Sequence, residues 1–233
     1  MNVIHQDVTL VNWGLSKLEF PDWLHASPPC INASVANYRK GESEQDLTMA
    51  MSIINALDNI NPAFFSLENV RSYRKFKSYS LILEWLLSHG YNVEARDLNA
   101  HWFGVPQRRI RTILLASRVS KPKFPEMGKT IGWYEAIEDL IPTFKEWWIA
   151  KWNHKALVEK YGENYLDDIQ GEVLYFRQDN TSGWKYLTKD MPASTVVASL
   201  GDKGTIPNIW YKDKVLKLTP RAIARLMGVS DSY

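Results

Sequence analysis

Between Trp23 and Ser117 the apolar residues alternate between two spacings, short runs that suit a strand and a 3.6-residue stripe that suits a helix. Trp23 to Ala26 reads as a short strand stopped by Ser27-Pro28-Pro29, because proline cannot donate to a ladder. Glu44 to Ile60 predicts an amphipathic helix with Leu47, Ala50, Met51, Ile54 and Leu57 on one face, broken by Asn61-Pro62. Ala63 to Leu67 is an apolar run of buried-strand character. A second helix is expected over residues 75–88, with Phe76, Tyr79, Leu83, Leu86 and Leu87 on one face and Gly90 as its stop. Two further strands, 91–98 and 111–117, are joined by a loop bearing Gly104 and Pro106. Few folds accommodate this β-α-β-α-β order. It predicts an α/β layered domain with a largely parallel sheet.

The pattern changes after Lys121-Pro122-Lys123. Residues 124 to 215 carry Trp133, Trp147, Trp148, Trp152, Trp184 and Trp210 among turn signals such as Asp179-Asn180 and Ser182-Gly183. They predict a separate, smaller and less regular lobe. Near the end Thr219 suits a helix N-cap, Pro220 the first helical position and Gly228 the stop. The expected division is a first domain over 1–118, the irregular lobe over 119–215, and a terminal helix over 216–233 that returns to the first domain. A chain of 233 residues can hold one good core, or a core and a small second lobe.

The single cysteine excludes an internal disulfide and any multi-cysteine zinc site, and no metal is expected. No apolar run approaches the ~18 residues of a membrane-spanning helix. Met1 to Asp7 has neither the basic start nor the apolar core of a secretory signal. The expectation is a cytoplasmic protein without membrane contact, where a lone thiol can be kept for chemistry. The net charge of +2 conceals an asymmetry: from Arg71 to Lys123 eleven Lys/Arg face only Glu84, Glu94 and Asp97. Such a block suits a phosphate backbone, or else a solvated basic surface.

Three constellations bear on chemistry. Ser27-Pro28-Pro29-Cys30 puts a thiol just past a strand end, where open α/β sheets bind ligands. Alone, such a thiol is more commonly a buried structural cysteine. Glu68-Asn69-Val70 follows the next strand, so its carboxyl is expected on the same sheet edge as Cys30. It suits protonation of an electron-poor ring under attack, or capping, or pairing with Arg71. Gln107-Arg108-Arg109-Ile110-Arg111 opens the last strand, and alternation puts Gln107, Arg109 and Arg111 on one face. They await an anionic or carbonyl-rich partner, unless they form a surface ion-pair ladder.

Taken in order, ASPPC, LENV, GVPQRRIRTILLASR and LTPRAIARLMGVSDSY resemble the fourth, sixth, eighth and ninth motifs of the DNA cytosine-5 methyltransferases. The helix from Gln45-Asp46-Leu47 is similar to the fifth. Asp7-Val8 resembles the third, and Asp190 to Thr195 the segment that closes the family's variable target-recognition region. The resemblance implies a partial Rossmann-like methyltransferase domain with a target-recognition lobe, acting on double-stranded DNA with S-adenosylmethionine. It implies that the target cytosine is flipped from the duplex. Cys30 then attacks carbon 6 of the ring and Glu68 protonates nitrogen 3. Arg111 holds the ring carbonyl, Arg109 supports the cysteine and carboxylate region, and Asn69 braces the proline-cysteine loop. Asp7, Val8 and Pro29 are implied cofactor contacts; Ser34, Asn69, Gln107 and Thr195 are implied substrate contacts.

Two departures accompany the resemblance. Ile31 stands where the family usually has glutamine, and the first, second and tenth motifs, which supply most of the cofactor pocket, have no counterpart. An edge beside the Trp23 strand is therefore expected to lack its neighbour. Two alternatives remain open: a split or truncated enzyme completed by a second chain carrying the missing motifs, and an inert DNA-binding relative that uses only the Trp-rich lobe. A methyltransferase acting on exocyclic nitrogen needs an Asp/Asn-Pro-Pro-aromatic loop, which Ser27 to Cys30 is not.

Overall fold

A computed structural model of the chain describes residues 5–14, 21–29, 32–33, 41–147, 174–177, 185–196, 207–211 and 214–232. The chain forms two compact units, residues 1–98 with 110–126, and residues 99–109 with 127–233. The expected break near 118 thus falls at 126, and the loop before the last strand of the first unit belongs to the second.

Unit 1 is built on strands β1 (Trp23–Ala26), β2 (Phe64–Asn69), β3 (Asn92–Asn99) and β4 (Ile110–Ser117), with helices α1 (Glu44–Ile60) and α2 (Lys77–Ser88). The strand order is β1-β2-β4-β3. β1 and β2 run parallel, with Trp23 beside Phe64 and Ala26 beside Leu67. β4 runs antiparallel to β2, with Glu68 against Ile113 and Asn69 against Thr112. The sheet is mixed where a largely parallel one was expected. The chain between β3 and β4, residues 100–109, is shorter than the dozen or more residues a parallel crossover needs.

Leu57, Leu67, Ile82, Leu86 and Leu114 have no exposed surface and join α1, α2 and one face of the sheet into a single core. Each such side chain contributes about 1.5–3 kcal/mol of burial. The helical stripes are rotated slightly from their expected phase. Met51 and Leu87 are more than half exposed, while Ile53, Ile60 and Ile82 are buried. Asn61 ends α1 in the left-handed conformation at φ 53°, and Gly90 follows α2 at φ 79°. Glu42 caps α2 from a distance, accepting from the backbone N–H groups of Lys77 (2.9 Å) and Ser78 (2.6 Å). Among the described residues β1 is an edge of the sheet, where Trp23 is 63% exposed; its partner Phe64 at the start of β2 is 41% exposed.

Unit 2 is more regular than expected. Strands β5 (Lys145–Glu146), β6 (Leu174–Arg177), β7 (Lys185–Leu187), β8 (Asn208–Tyr211) and β9 (Lys214–Lys217) form a sheet of order β5-β9-β8-β6-β7. Its pairings are all antiparallel. Helices α3 (Trp133–Ile137) and α4 (Pro220–Leu226) pack on each other, with Trp133, Ile137, Ile209, Leu218, Ala222 and Leu226 in one core. The terminal helix contributes Ala222 and Leu226 to this core. Thr219 caps α4 by accepting from the Ala222 N–H, with Pro220 next in line, as its sequence predicts. At Gly132 a Cβ would lie 2.4 Å from the Lys189 carbonyl oxygen, so this close approach requires glycine.

No helix among the described residues is long and apolar enough to cross a membrane.

Candidate active site

Parallel pairing of β1 and β2 brings their C-terminal ends side by side, so Ser27-Pro28-Pro29 and Glu68-Asn69 emerge together. β4 enters from the same end, which sets Arg111 on the face that carries Glu68. Arg111 Nε lies 2.8 Å from Glu68 Oε1, with the two side chains 22% and 29% exposed. Ser27 Oγ donates to Glu68 Oε2 at 2.7 Å. Both carboxylate oxygens are therefore engaged, by a cation on one side and a neutral hydroxyl on the other. Of the sequence alternatives for Glu68, pairing with Arg71 does not occur; Arg71 meets Asp97 at 2.9 Å instead.

Asn69 is 2% exposed and makes two bonds that shape the loop. Its Nδ2 donates to the Pro28 carbonyl at 3.1 Å, and its Oδ1 accepts from the Val70 N–H at 2.8 Å. A buried amide satisfied in this way is the geometry a brace needs, since losing either partner leaves a buried polar group unpaired. Cys30 and Ser34 lie outside the described residues.

The alternation expected over Gln107 to Arg111 does not hold. β4 begins at Ile110, so only Arg111 of the three long side chains lies on it. Gln107 is 1% exposed, and its Nε2 donates to the Leu226 carbonyl at 3.3 Å in unit 2. Arg109 also belongs to unit 2, where its N–H donates to Asn99 Oδ1 at 3.1 Å. Thr195 donates its hydroxyl to the Arg108 carbonyl at 2.5 Å. Around it the Arg108 N–H donates to the Ala193 carbonyl (2.8 Å) and the Ala193 N–H to the Pro106 carbonyl (3.0 Å). Segments 106–109 and 193–195 thus form one seam, a pairing that no local sequence period announces.

The basic block is partly consumed within unit 1. Arg74 shares Asp97 with Arg71, and Lys121 meets Glu94 at 2.8 Å. Arg96 and Arg118 lie over the rings of Phe124 and Tyr91 at 5.1 and 4.5 Å. Much of the predicted phosphate-binding strip is therefore engaged in unit 1's own packing.

Asp7 caps a short 3-10 turn (Val8–Leu10), its Oδ1 accepting from the Thr9 N–H (2.9 Å) and hydroxyl (2.8 Å). Those bonds, the backbone one foremost, hold its carboxyl below the usual range. Val8 beside it is 37% exposed. An ionised carboxylate next to an exposed apolar side chain suits the edge and face of an amine-bearing planar ring. Among the described residues no cluster of three or more His, Cys, Asp or Glu side chains is placed to hold a metal ion.

The chain resembles known proteins over most of its length. It is 33% identical over 238 residues to the type II methyltransferase M.Bsp6I of Bacillus sp. strain RFL6, covering 91% of this chain and 69% of that one. It is 27% identical over 214 residues to the orphan methyltransferase M.SPRI of Bacillus phage SPR, covering 84% of this chain and 47% of the relative. Over 192 residues it is 27% identical to M.Rho11sI of Bacillus phage rho11s, covering 77% of this chain and 38% of that one. The chain thus spans less than half the length of these two phage relatives. In fold it is similar to a prophage-encoded chain of E. coli (TM-score 0.64, 17% identical, 98% of this chain and 76% of that one). It is also similar to the S. pombe Dnmt2 methyltransferase (TM-score 0.60, 16% identical, 97% and 71%). These likenesses agree with an α/β domain of the Rossmann-like methyltransferase class. The model of the C-5 cytosine-specific DNA methylases matches residues 1–233, and the chain belongs to that family.

Proposed function

We propose that this chain methylates carbon 5 of cytosine in duplex DNA, as a phage-type or restriction-modification enzyme, with Cys30 as nucleophile. One observation carries the reading: Glu68 is clamped by Arg111 at the mouth of two parallel strands, one of which leads directly into Pro28-Pro29-Cys30. The target base is flipped out of the duplex, because the reacting ring face is closed within the stack. Cys30, as thiolate, adds to carbon 6 while Glu68 passes a proton to nitrogen 3, which leaves carbon 5 electron-rich. Arg111 keeps Glu68 oriented and faces the ring carbonyl. Arg109 is assigned to the surroundings of the cysteine. Asn69 holds the loop through Pro28, and Asn69, Ser34, Gln107 and Thr195 are assigned to the substrate. After methyl transfer, loss of the carbon 5 proton to a base, expulsion of Cys30 as thiolate and return of the nitrogen 3 proton to Glu68 restore the neutral aromatic ring.

S-adenosylmethionine, when bound, supplies the methyl group. Asp7, Val8 and Pro29 would hold one edge of it, the first two through the ionised carboxylate and exposed apolar side chain described above. The resemblance assigns most of the cofactor pocket to the first, second and tenth motifs, which have no counterpart among these residues. We therefore also propose that further polypeptide carrying the remaining cofactor contacts completes the site, a reading favoured by the edge at β1, which has no outer neighbour among the described residues and carries the exposed Trp23.

Incubation with S-adenosylmethionine and a duplex containing 5-fluorocytosine tests this, because fluorine cannot leave and the adduct is trapped. The chain is assayed alone and with the N-terminal segment of a relative added. A covalent complex is expected in at least one condition and is lost in Cys30→Ala. No complex in either condition sinks the enzymatic reading in favour of an inert DNA-binding relative. A complex that survives Cys30→Ala sinks the assignment of the nucleophile.

A further inference from the structure

Glu68 has two partners of different kinds, and the difference assigns them different tasks. Arg111 at Oε1 is a permanent cation that can only donate. Ser27 at Oε2 carries a hydroxyl that both donates and accepts. We propose that Ser27 is a positioning residue that marks Oε2 as the oxygen exchanging a proton with the substrate ring, an inference that rests on the methyltransferase reading above.

The placement of Ser27 is not that of a loose surface serine. It directly follows Ala26, which is registered against Leu67, so the same register sets Ser27 beside Glu68. Its other neighbour, Pro28, has its carbonyl held by the buried Asn69 amide at 3.1 Å. A residue preceding proline is confined to extended conformations, so little backbone freedom remains at Ser27. The hydroxyl is thus presented to Oε2 from a fixed backbone, in a bond of 2.7 Å that is short enough to be charge-assisted.

With Glu68 ionised, Ser27 donates to Oε2 and keeps the carboxylate from rotating about its terminal torsion. When Oε2 carries a proton, the hydroxyl turns and leaves that proton free to point at the ring nitrogen. Once the proton has passed to nitrogen 3, Ser27 donates again to the carboxylate. Ser27 ends with the proton it began with. One proton moves, from Oε2 to the ring, and the hydroxyl only changes direction.

The test compares Ser27→Thr with Ser27→Val, two β-branched side chains of similar shape that differ by the hydroxyl. Rates of adduct formation on 5-fluorocytosine duplex are measured at saturating DNA with the full chain, in the condition where the unaltered protein reacts, alongside duplex affinity. The expected result is a fall of about tenfold or more for Ser27→Val, the scale of a hydrogen bond to a charged group. Affinity should be unchanged, and Ser27→Thr should restore most of the rate. Ser27→Val reacting at the original rate, Ser27→Thr as slow as Ser27→Val, or a loss confined to affinity would each overturn the inference alone. An unaltered protein that forms no adduct overturns the functional reading and this inference with it. If Ser27→Val does not fold, Ser27→Ala read against Ser27→Thr measures the same hydroxyl.

Discussion

The two units put arginine–carboxylate pairs to opposite uses. In unit 1, Arg111 and Glu68 meet at the open end of a sheet, and the carboxylate keeps one oxygen against a hydroxyl that can reverse. In unit 2, Arg225 bonds to Asp139 (2.5 Å) and to both oxygens of Asp231 (2.9 and 2.5 Å), while Arg221 adds a contact to Asp231. These bonds hold α4 and the residues after it. The hydrogen bonds from Arg225, then Arg221, hold the Asp231 carboxyl far below its ordinary range. On the proposed reading the same two residue types make a responsive site in one unit and a fastening in the other. What separates them is whether every acceptor is satisfied by a fixed donor.

The comparison can be broken most forcefully in the cores. Trp133 is fully buried in unit 2 and donates its indole N–H to the Thr188 carbonyl at 2.7 Å. Trp133→Ala should cost about 3–5 kcal/mol, read as faster amide hydrogen exchange in β8 and β9. A small change there would mean that the ion pairs, and not the core, hold unit 2. Next in size is Glu68→Gln, which should slow adduct formation about a hundredfold with little change in the melting midpoint. A large loss of stability with the rate intact would make the unit 1 pair a fastening too.

Asn69→Ala should destabilise unit 1 by about 1–3 kcal/mol, since the Val70 N–H and Pro28 carbonyl lose their buried partner. Thermal or urea melts measure it, and a neutral result would remove the brace. The smallest effect is that of pH. Burial raises the Glu42 carboxyl, but the backbone N–H and hydroxyl of Ser78 and the N–H of Lys77 outweigh it and leave it below its ordinary value. Asp231 is lowered as well. Groups depressed in the folded state contribute fully above the unfolded carboxylate range near pH ~4 and lose that contribution as pH falls through their folded values. Exchange at the start of α2 and throughout α4 should therefore accelerate only on acidification below that range. Acceleration between pH 5 and 7 would contradict both assignments.

How much of this was legible in the sequence follows from how local each signal is. Helices α1 and α2 and strands β1 and β2 sit where their apolar spacing and Asn-Pro or Gly stops put them, because those cues act within a few residues. The phase of each helix was harder to read. A stripe about 100° wide accommodates Met51 or Ile53 almost equally well, and only contact with the sheet chooses between them. The antiparallel insertion of β4, the Glu42 cap on α2 and the burial of Gln107 all depend on partners far away in the chain. The sheet of unit 2 is made of strands only two to four residues long, too short for alternation to register. At the candidate site, Glu68 and Arg111 stood out as charged residues beside strand ends. Ser27 did not, because a serine before two prolines reads as punctuation until its hydroxyl is seen on a carboxylate.

The seam between segments 106–109 and 193–195 bears on how such a lobe could change over time. Two of its three hydrogen bonds run from main chain to main chain, and the third uses only the Thr195 hydroxyl. A joint of that kind is nearly indifferent to side-chain identity. Side chains outside the seam can therefore change without breaking the main-chain bonds that fasten the loop carrying Arg108 and Arg109. Side-chain change in unit 2 is thereby uncoupled from the integrity of the chain that leads into β4, with Thr195 the one position whose side chain enters these three hydrogen bonds.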